Sequence, residues 1–416
     1  MSRLEELIAE LCPEGVEYKT LGEIAGVSRG GSFQKKDFRS SGVPCIHYGQ
    51  IYTKYGLFVD KALTYIDESC AEKQKFAKTN DIVMAVTSEN IEDVCKCIVW
   101  LGDERAAVSG HTAIIHHNQN AKYLAYYFHT QMFFAQKRKI AHGTKVVEVT
   151  PSKLLDIRIP VPPLPVQGEI VRILDNFTEL TAELTAELTA RKKQYEYYRD
   201  QLLHFTCNTK KYVLGDIATV TKLAGFEFTK YVKYSNEGQI IALRGLNIKN
   251  GKLQLDDVKY IDHSDLTKLS RSKLHIGDML FTYVGTIGQV ALIDEEDKYY
   301  LAPNVALIRC DKRVLLPEYM RYYFQSNLFW DKQINRLLQS SSMKNIPMEK
   351  IRKFEIVAPS LEVQKRFVDV LDHFDAICSD LKIGLPAEIE ARKKQYEYYR
   401  DQLLTFVESG RMLVDR

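Results

Sequence analysis

A chain that performs chemistry alone carries particular residues at particular spacings, and the nearest approaches here fall short. An amino-methyltransferase holds its target amine with Asp/Asn-Pro-Pro-aromatic, whereas Pro162-Pro163 sit between Val161 and Leu164. A phosphate loop needs four residues between Gly and Gly-Lys, then Ser or Thr. Gly245 and Gly251-Lys252 enclose five, and Leu253 follows. Asp257 and Lys259 have the spacing of a nuclease carboxylate–lysine pair but read as an ordinary surface loop. The ten histidines form no HExxH. Eight scattered cysteines contain no CxxC; Cys95 and Cys97 are two apart with no second pair. No catalytic residue and no metal site is expected, and the cysteines read as reduced thiols of a cytoplasmic protein.

The elements that could position any other chemistry begin with size. At 416 residues the chain exceeds what one core usually holds, so two or more domains are expected. It is 45% hydrophobic and 11% aromatic, which excludes disorder. A net charge of +3 favours an anionic partner only weakly, since clustering on one face matters more. The charged Met1-Ser2-Arg3-Leu4-Glu5-Glu6 start is unlike a signal peptide, and no apolar run reaches the ~18 residues of a membrane span.

Internal repetition sets the architecture. The 14 residues from Ala190 to Leu203 (ARKKQYEYYRDQLL) recur unchanged from Ala391 to Leu404. Fainter matches keep the same order. Leu21-Gly22-Glu23-Ile24-Ala25 answers to Leu214-Gly215-Asp216-Ile217-Ala218, and Asp81–Met84 to Asp278–Phe281. Tyr123–Phe128 answers to Tyr319–Phe324. Ile159 through Asp175 answers to Ile356 through Asp372, with Val166-Gln167 and Val363-Gln364. Each half reads as a mixed module followed by a long helix. Short β runs such as 240–243 and 305–308 and helices near 122–139 and 317–337 give an α+β class with a twisted or barrel-like sheet.

Ile170, Ile173, Leu174, Phe177, Leu180, Leu184 and Leu188 step by three or four, so a helix from about 166 to 205 carries one apolar stripe. Some 40 residues at ~1.5 Å each span about 60 Å, too long for burial in an ordinary domain. Gly384-Leu385-Pro386 should kink or break the second helix. Symmetry makes the two helices an antiparallel, coiled-coil-like pair joining two globular α/β domains. The expected parts are 1–165, 166–208, 209–360 and 361–416. Leu180-Thr-Ala-Glu183 is followed by Leu184-Thr-Ala-Glu187 and Leu188-Thr-Ala-Arg191. This is either a low-complexity solvated stretch or a ruler, each unit adding about 6 Å of helix.

The duplicated block, the Leu-Thr-Ala-Glu repeats and the Leu–x–Val–Gln start of each helix, just after a proline, together resemble the specificity (S) subunit of Type I restriction–modification systems. The second module adds Gly285–Ala291 and Ser342–Pro347; the first departs there with Thr87–Asn90 and Gly143–Val147. The resemblance implies two target-recognition domains, each reading one half of a bipartite, asymmetric site in double-stranded DNA. It implies two adenine-N6 methyltransferase (M) subunits using S-adenosylmethionine, and endonuclease–translocase (R) subunits that join them. Cofactors, including ATP and magnesium, then belong to the partners. Rival readings are an orphan bipartite DNA-binding regulator without a methyltransferase partner, a structural rod and an enzyme acting alone.

Phosphates need Lys, Arg and small hydroxyls, and base edges need Arg, Asn, Gln or Ser. In the first module the DNA-binding candidates are Arg29, Ser32, Gln34, Lys35 and Lys36, with Gly30 and Gly31 permitting close backbone approach. His47, Tyr48, Gln50, Thr144 and Lys145 complete that set. In the second module they are Lys222, Lys230, Arg244, Asn247, Tyr283, Thr286, Ser341, Ser342, Lys344 and Asn345. Two copies of one M subunit need two copies of one docking surface. The identical block supplies it with Tyr195, Tyr197, Tyr198, Arg199 and Leu202, and with Tyr396, Tyr398, Tyr399, Arg400 and Leu403. The alternative is that these residues seal the helix pair.

Overall fold

The computed structural model describes residues 2–203, 209–223, 228, 230–339, 345–379, 384–406 and 408. The chain divides into two compact units. One holds Met1–Leu184 with Ile389–Arg416, the other Thr185–Glu388. These boundaries cut across a simple module-then-helix order. Each unit contains one module, the start of the helix that follows it, and the identical block from the end of the other helix.

In the first unit a five-stranded sheet orders Ala25–Arg29, Thr112–His117, Ile82–Ala85, Cys97–Trp100 and Phe58–Val59. Its central strand Ile82–Ala85 is buried on both faces, as the unbroken apolar run requires. A four-stranded sheet orders Thr64–Ile66, Val43–Ile46, Ala106–Val108 and Lys75–Ala77. In the second unit Ala218–Lys222, Val305–Cys310, Met279–Thr282 and Val290–Leu292 form one sheet, and Ile241–Leu243 pairs in parallel with Tyr299–Leu301. Helices Ala121–Tyr127 and Gln131–Ile140 in the first unit match Pro317–Gln325 and the helical stretch 327–339 in the second. The last of these contains a π turn at Trp330–Ile334.

The repeated sequence anchors become repeated bonds. Tyr123 and Tyr319 donate their hydroxyls to the carbonyls of Pro160 and Val357 at 2.8 and 2.7 Å. Tyr126 donates to Asp175 at 2.6 Å and Tyr322 to Asp372, at the matching turn of each helix. Gln167 and Gln364 are fully buried. Gln167 accepts from the Asn120 backbone and donates to Pro162 O; Gln364 accepts from the Leu316 backbone and donates to Val314 O and Pro359 O. A buried amide satisfied on both sides is a rigid staple. The Val-Gln pair thus fixes each helix to its module.

The first long helix runs Leu164–Leu202. Its stripe is buried at Ile170 and Leu174 and half-buried at Ile173, Phe177, Leu184 and Leu188. Leu180, expected in the stripe, is exposed, because Thr181 takes the inward position at the 177–181–184–188 spacing. In the first unit Phe177 stacks on Tyr399 with ring centroids 5.5 Å apart. In the second, Tyr198 lies against Phe374 at 6.0 Å while Lys192 and Arg191 reach the Cys378 end of Leu361–Ser379, so the two stretches run antiparallel. Leu361–Ser379 and Leu385–Leu403 are separate helices with Gly384 in a bend outside both, in keeping with the break expected near Pro386; residues 380–383 lie outside the described residues. Pro386 lies in the first turn of the new helix, where its missing donor costs nothing. No helix among the described residues is long and apolar enough to cross a membrane.

Candidate nucleic-acid interface

In the second module three separate sequence candidates converge. Arg244, Gly245, Leu246 and Thr286 line a concave surface of about 440 Å³ with Tyr234, Val284, Ala302, Pro303 and Asn304. Gly285 has φ +78° and Asn304 +70°, left-handed turns that fold two loops toward the same space. Val284 bridges to Asn345, which brings that residue to the edge of this surface. Tyr283 is half-buried behind it, bonded to the Asn304 backbone. Arg244 is held by Asp257, donating to its backbone carbonyl at 2.8 Å and its carboxylate at 3.0 Å. Its Nε is buried with no partner among the described residues. A guanidinium oriented by a carboxylate beside open space is suited to a base edge or phosphate.

Asn247 corrects the sequence reading. It is 0% exposed, accepting from the Arg244 backbone and donating to Gln254 O and Asp257 O. Its amide staples the loop and has nothing left for DNA. Lys222 and Lys230 are exposed outside the concavity. Lys230 lies 5.3 Å over the Tyr231 ring. Ser341, Ser342 and Lys344 lie outside the described residues.

In the first module the candidates gather around the turn Ser109-Gly110-His111. Arg29 donates to Gly110 O at 2.9 Å and pairs with Glu148 at 3.3 Å. The Tyr48 backbone donates to Ser109 Oγ, and its ring lies 4.9 Å from that of His111. Thr144 and Lys145 are exposed in the loop between His142 and Glu148, next to the Arg29 partner. Ser32, Gln34, Lys35 and Lys36 are exposed. Gly30 and Gly31 serve the fold: a Cβ on Gly30 would meet Ser109 O at 2.0 Å, and one on Gly31 would meet Gln74. His47 and Gln50 are also spent internally. His47 is buried and caps Gly49, and Gln50 bonds His47 N and Thr64. Burial first, then the nearby Lys35 and His111 charges, lowers the His47 pKa and keeps the ring neutral. His111, Tyr234 and Asn304 were missed by sequence reasoning. Only the Pro303-Asn304 turn signal marked one of them.

The identical block divides the same way in both copies. Tyr195 and Leu202 pack on the second core, and Tyr396 and Leu403 on the first. Arg199 and Arg400 are each 8% exposed and each lie 5.6 Å from the ring four residues earlier. Burial pushes the Tyr195 hydroxyl up to about 12 and raises Tyr396 likewise. These six residues seal the helices to the modules, which corrects their reading as partner contacts. Tyr197 and Tyr398 remain 61% and 62% exposed, with Tyr198 and Tyr399 partly exposed beside them. The helix packs one face and presents the other.

Comparison with known proteins agrees with this arrangement. Residues 13–191 and 208–391 each match the Type I restriction modification DNA specificity domain. A Haemophilus influenzae protein named as a putative type I restriction enzyme specificity subunit is 33% identical over 275 residues, 64% of this chain and 68% of that one. The Escherichia coli EcoR124I/EcoR124II specificity subunit is 33% identical over 262 residues, 60% of this chain and 63% of that one. Among solved structures, one described as the structural basis of complex assembly and conformational transition of the type I R-M system has a TM-score of 0.64 at 16% identity, covering 94% of this chain and 98% of that one. The HsdS subunit of Thermoanaerobacter tengcongensis has a TM-score of 0.53 at 15% identity, covering 95% and 97%. The two matched domains define a DNA-specificity protein with a duplicated recognition module. The chain belongs to the Type I restriction modification DNA specificity family. It is a specificity subunit, the DNA-recognising part of a system whose reactions belong to other subunits.

Proposed function

We propose that each module reads one half of a bipartite, asymmetric DNA site and that the helices set the distance between the halves. Two M subunits dock on the two exposed faces of the identical block, and R subunits join them in a restriction complex. S-adenosylmethionine, ATP and magnesium are held by those partners. The reading is supported by Arg244 and Thr286 on one concave surface with Asn345 at its edge, together with an aromatic face present in both copies of the block at exposures within a few per cent. The M subunit then flips the target adenine out of the stack for methylation.

The test is to map methylated adenines in cells carrying the chain and its methyltransferase. Deleting one Leu-Thr-Ala-Glu unit should change the spacing between half-sites by one or two base pairs, since about 6 Å of helix compares with ~3.4 Å per base pair. A changed base preference inside either half-site would refute the ruler. Recovery of the chain from native cells without any methyltransferase would favour an orphan regulator instead.

A further inference from the structure

A second concavity of about 580 Å³ lies in the second unit, lined by Lys211, Lys332, Arg336, Lys350 and Lys353. All five side chains are exposed, and none makes an ion pair among the described residues. Glu355 is the one carboxylate in the described lining, and its backbone carbonyl is taken by Tyr323 and Gln333. Lys332 and Arg336 stand four apart across the π turn, a local departure that recurs at functional sites. Lys350 and Lys353 stand three apart on the opposite wall, where like charges repel.

The first unit shows what this place looks like when neutralised. Its strand pair Tyr18–Thr20 with Arg158–Pro160 matches Lys211–Val213 with Glu355–Val357 in register. There Lys153 pairs with Asp156 at 3.5 Å, in the positions of Lys350 and Lys353. Arg158 pairs with Glu408, in the position of Glu355. Tyr18 stands where Lys211 does. At Lys211, Lys350 and Lys353 the second unit thus carries three cations where the first has Tyr18 and a Lys153–Asp156 pair.

We propose that this groove binds backbone phosphates of the DNA whose bases the Arg244 concavity reads; the inference rests on that reading. The positive charge calls for a polyanion, and closeness along the chain to Asn345 favours DNA over an acidic protein segment. The Lys332/Arg336 helix ends at Gln339, and Lys350 follows Asn345 by five residues, no more than roughly 18 Å even at full extension. The Lys350 and Lys353 wall therefore lies a short length of chain from Asn345, at the edge of the concavity. Phosphate contacts of this kind hold register and add affinity without sequence information.

The test uses the full chain assembled with its methyltransferase, titrated with target and non-target duplex across a salt series. Lys332→Gln, Arg336→Gln, Lys350→Gln and Lys353→Gln are combined. Lys353→Asp is made separately to copy the paired arrangement of the first unit, and it serves as the folding control. The expected result is a salt slope shallower by about 0.9 for each phosphate that the combined variant no longer neutralises. Affinity should fall equally on both duplexes, with the methylated sequence unchanged. An unchanged slope in an intact complex overturns the proposal. So does loss of the methyltransferase with DNA binding intact, which would mean an acidic partner sits there. If the unaltered complex shows no salt-dependent preference for its target, the reading of the concavity has failed, and this inference with it.

Discussion

Gln364→Ala is the sharpest test of how the helices are fixed to the modules. The amide is fully buried and makes three bonds of 2.8 Å: to Leu316 N, Val314 O and Pro359 O. Truncation leaves one N–H and two carbonyls without partners in a space too apolar for easy hydration. Each orphan costs about 1–3 kcal/mol when unrelieved, and the lost packing adds to it. Allowing for water reaching one of the carbonyls, the loss should be about 3–5 kcal/mol, a large fraction of the ~5–15 kcal/mol that holds a typical domain. Gln364→Leu, which refills the volume but not the bonds, should recover only the packing part. The assay is amide hydrogen exchange on the full chain with increasing denaturant, which reports each unit separately. Protection should fall in the unit containing Pro317–Gln325 and persist in the other, and Gln167→Ala should do the reverse. A loss under ~1 kcal/mol, or equal loss in both units, would show that the staple is dispensable.

Three further outcomes are expected. Tyr197→Ala and Tyr398→Ala should leave stability within about 0.5 kcal/mol, being exposed, yet each should weaken capture of one methyltransferase. Native mass spectrometry of the complex reads this directly, and full assembly by the double variant would count against the docking face. Arg244→Ala should relax one position of a single half-site, with discrimination there falling by about 1–3 kcal/mol; sequencing of methylated sites checks it. The third concerns acid. His47, His117 and His129 all lie in the first unit, each with its pKa lowered chiefly by burial. The folded form then binds fewer protons than the unfolded one, so stability is lost as pH falls below the unfolded value of about 6.5. Hydrogen exchange at pH 7.5 and 5.5 should show the first unit weakening more than the second.

The repeat was legible because identity over 14 residues needs no geometry to interpret. The helices were legible because a 3.6-residue period survives in any amphipathic surface. The loops were only partly legible. Arg244, Thr286 and Asn345 were named from residue type, but their convergence depends on positive-φ turns at Gly285 and Asn304 that bring distant segments together. Asn247 failed for the complementary reason. An amide two residues beyond a glycine suits a base edge and a turn staple equally, and only burial separates them. Glycines at 30 and 31 likewise admit a close approach, and at Gly30 that approach is by the protein's own backbone at Ser109.

Why some residues repeat between the halves while others differ follows from the packing. Each identical block sits on the module it does not follow in sequence, so Tyr195 and Tyr396 meet different modules yet need the same seat. Asp200 bonds the backbone of Asn327 and Asp401 that of Gln131, at the start of matching helices. A seat used twice by one sequence must itself be written twice. The residues that build it are the repeated ones: the Tyr–x–x–Tyr–Tyr–Phe helix, the Asp that receives its tyrosine, and the Gln that staples the long helix. In the proposed reading, Arg29 with its Glu148 partner and Arg244 with its Asp257 partner belong to the reading surfaces instead, and they are free to differ. Two unlike reading surfaces on two like mounts is the arrangement an asymmetric bipartite target requires, because the mounts must present equivalent partners while the surfaces read different bases.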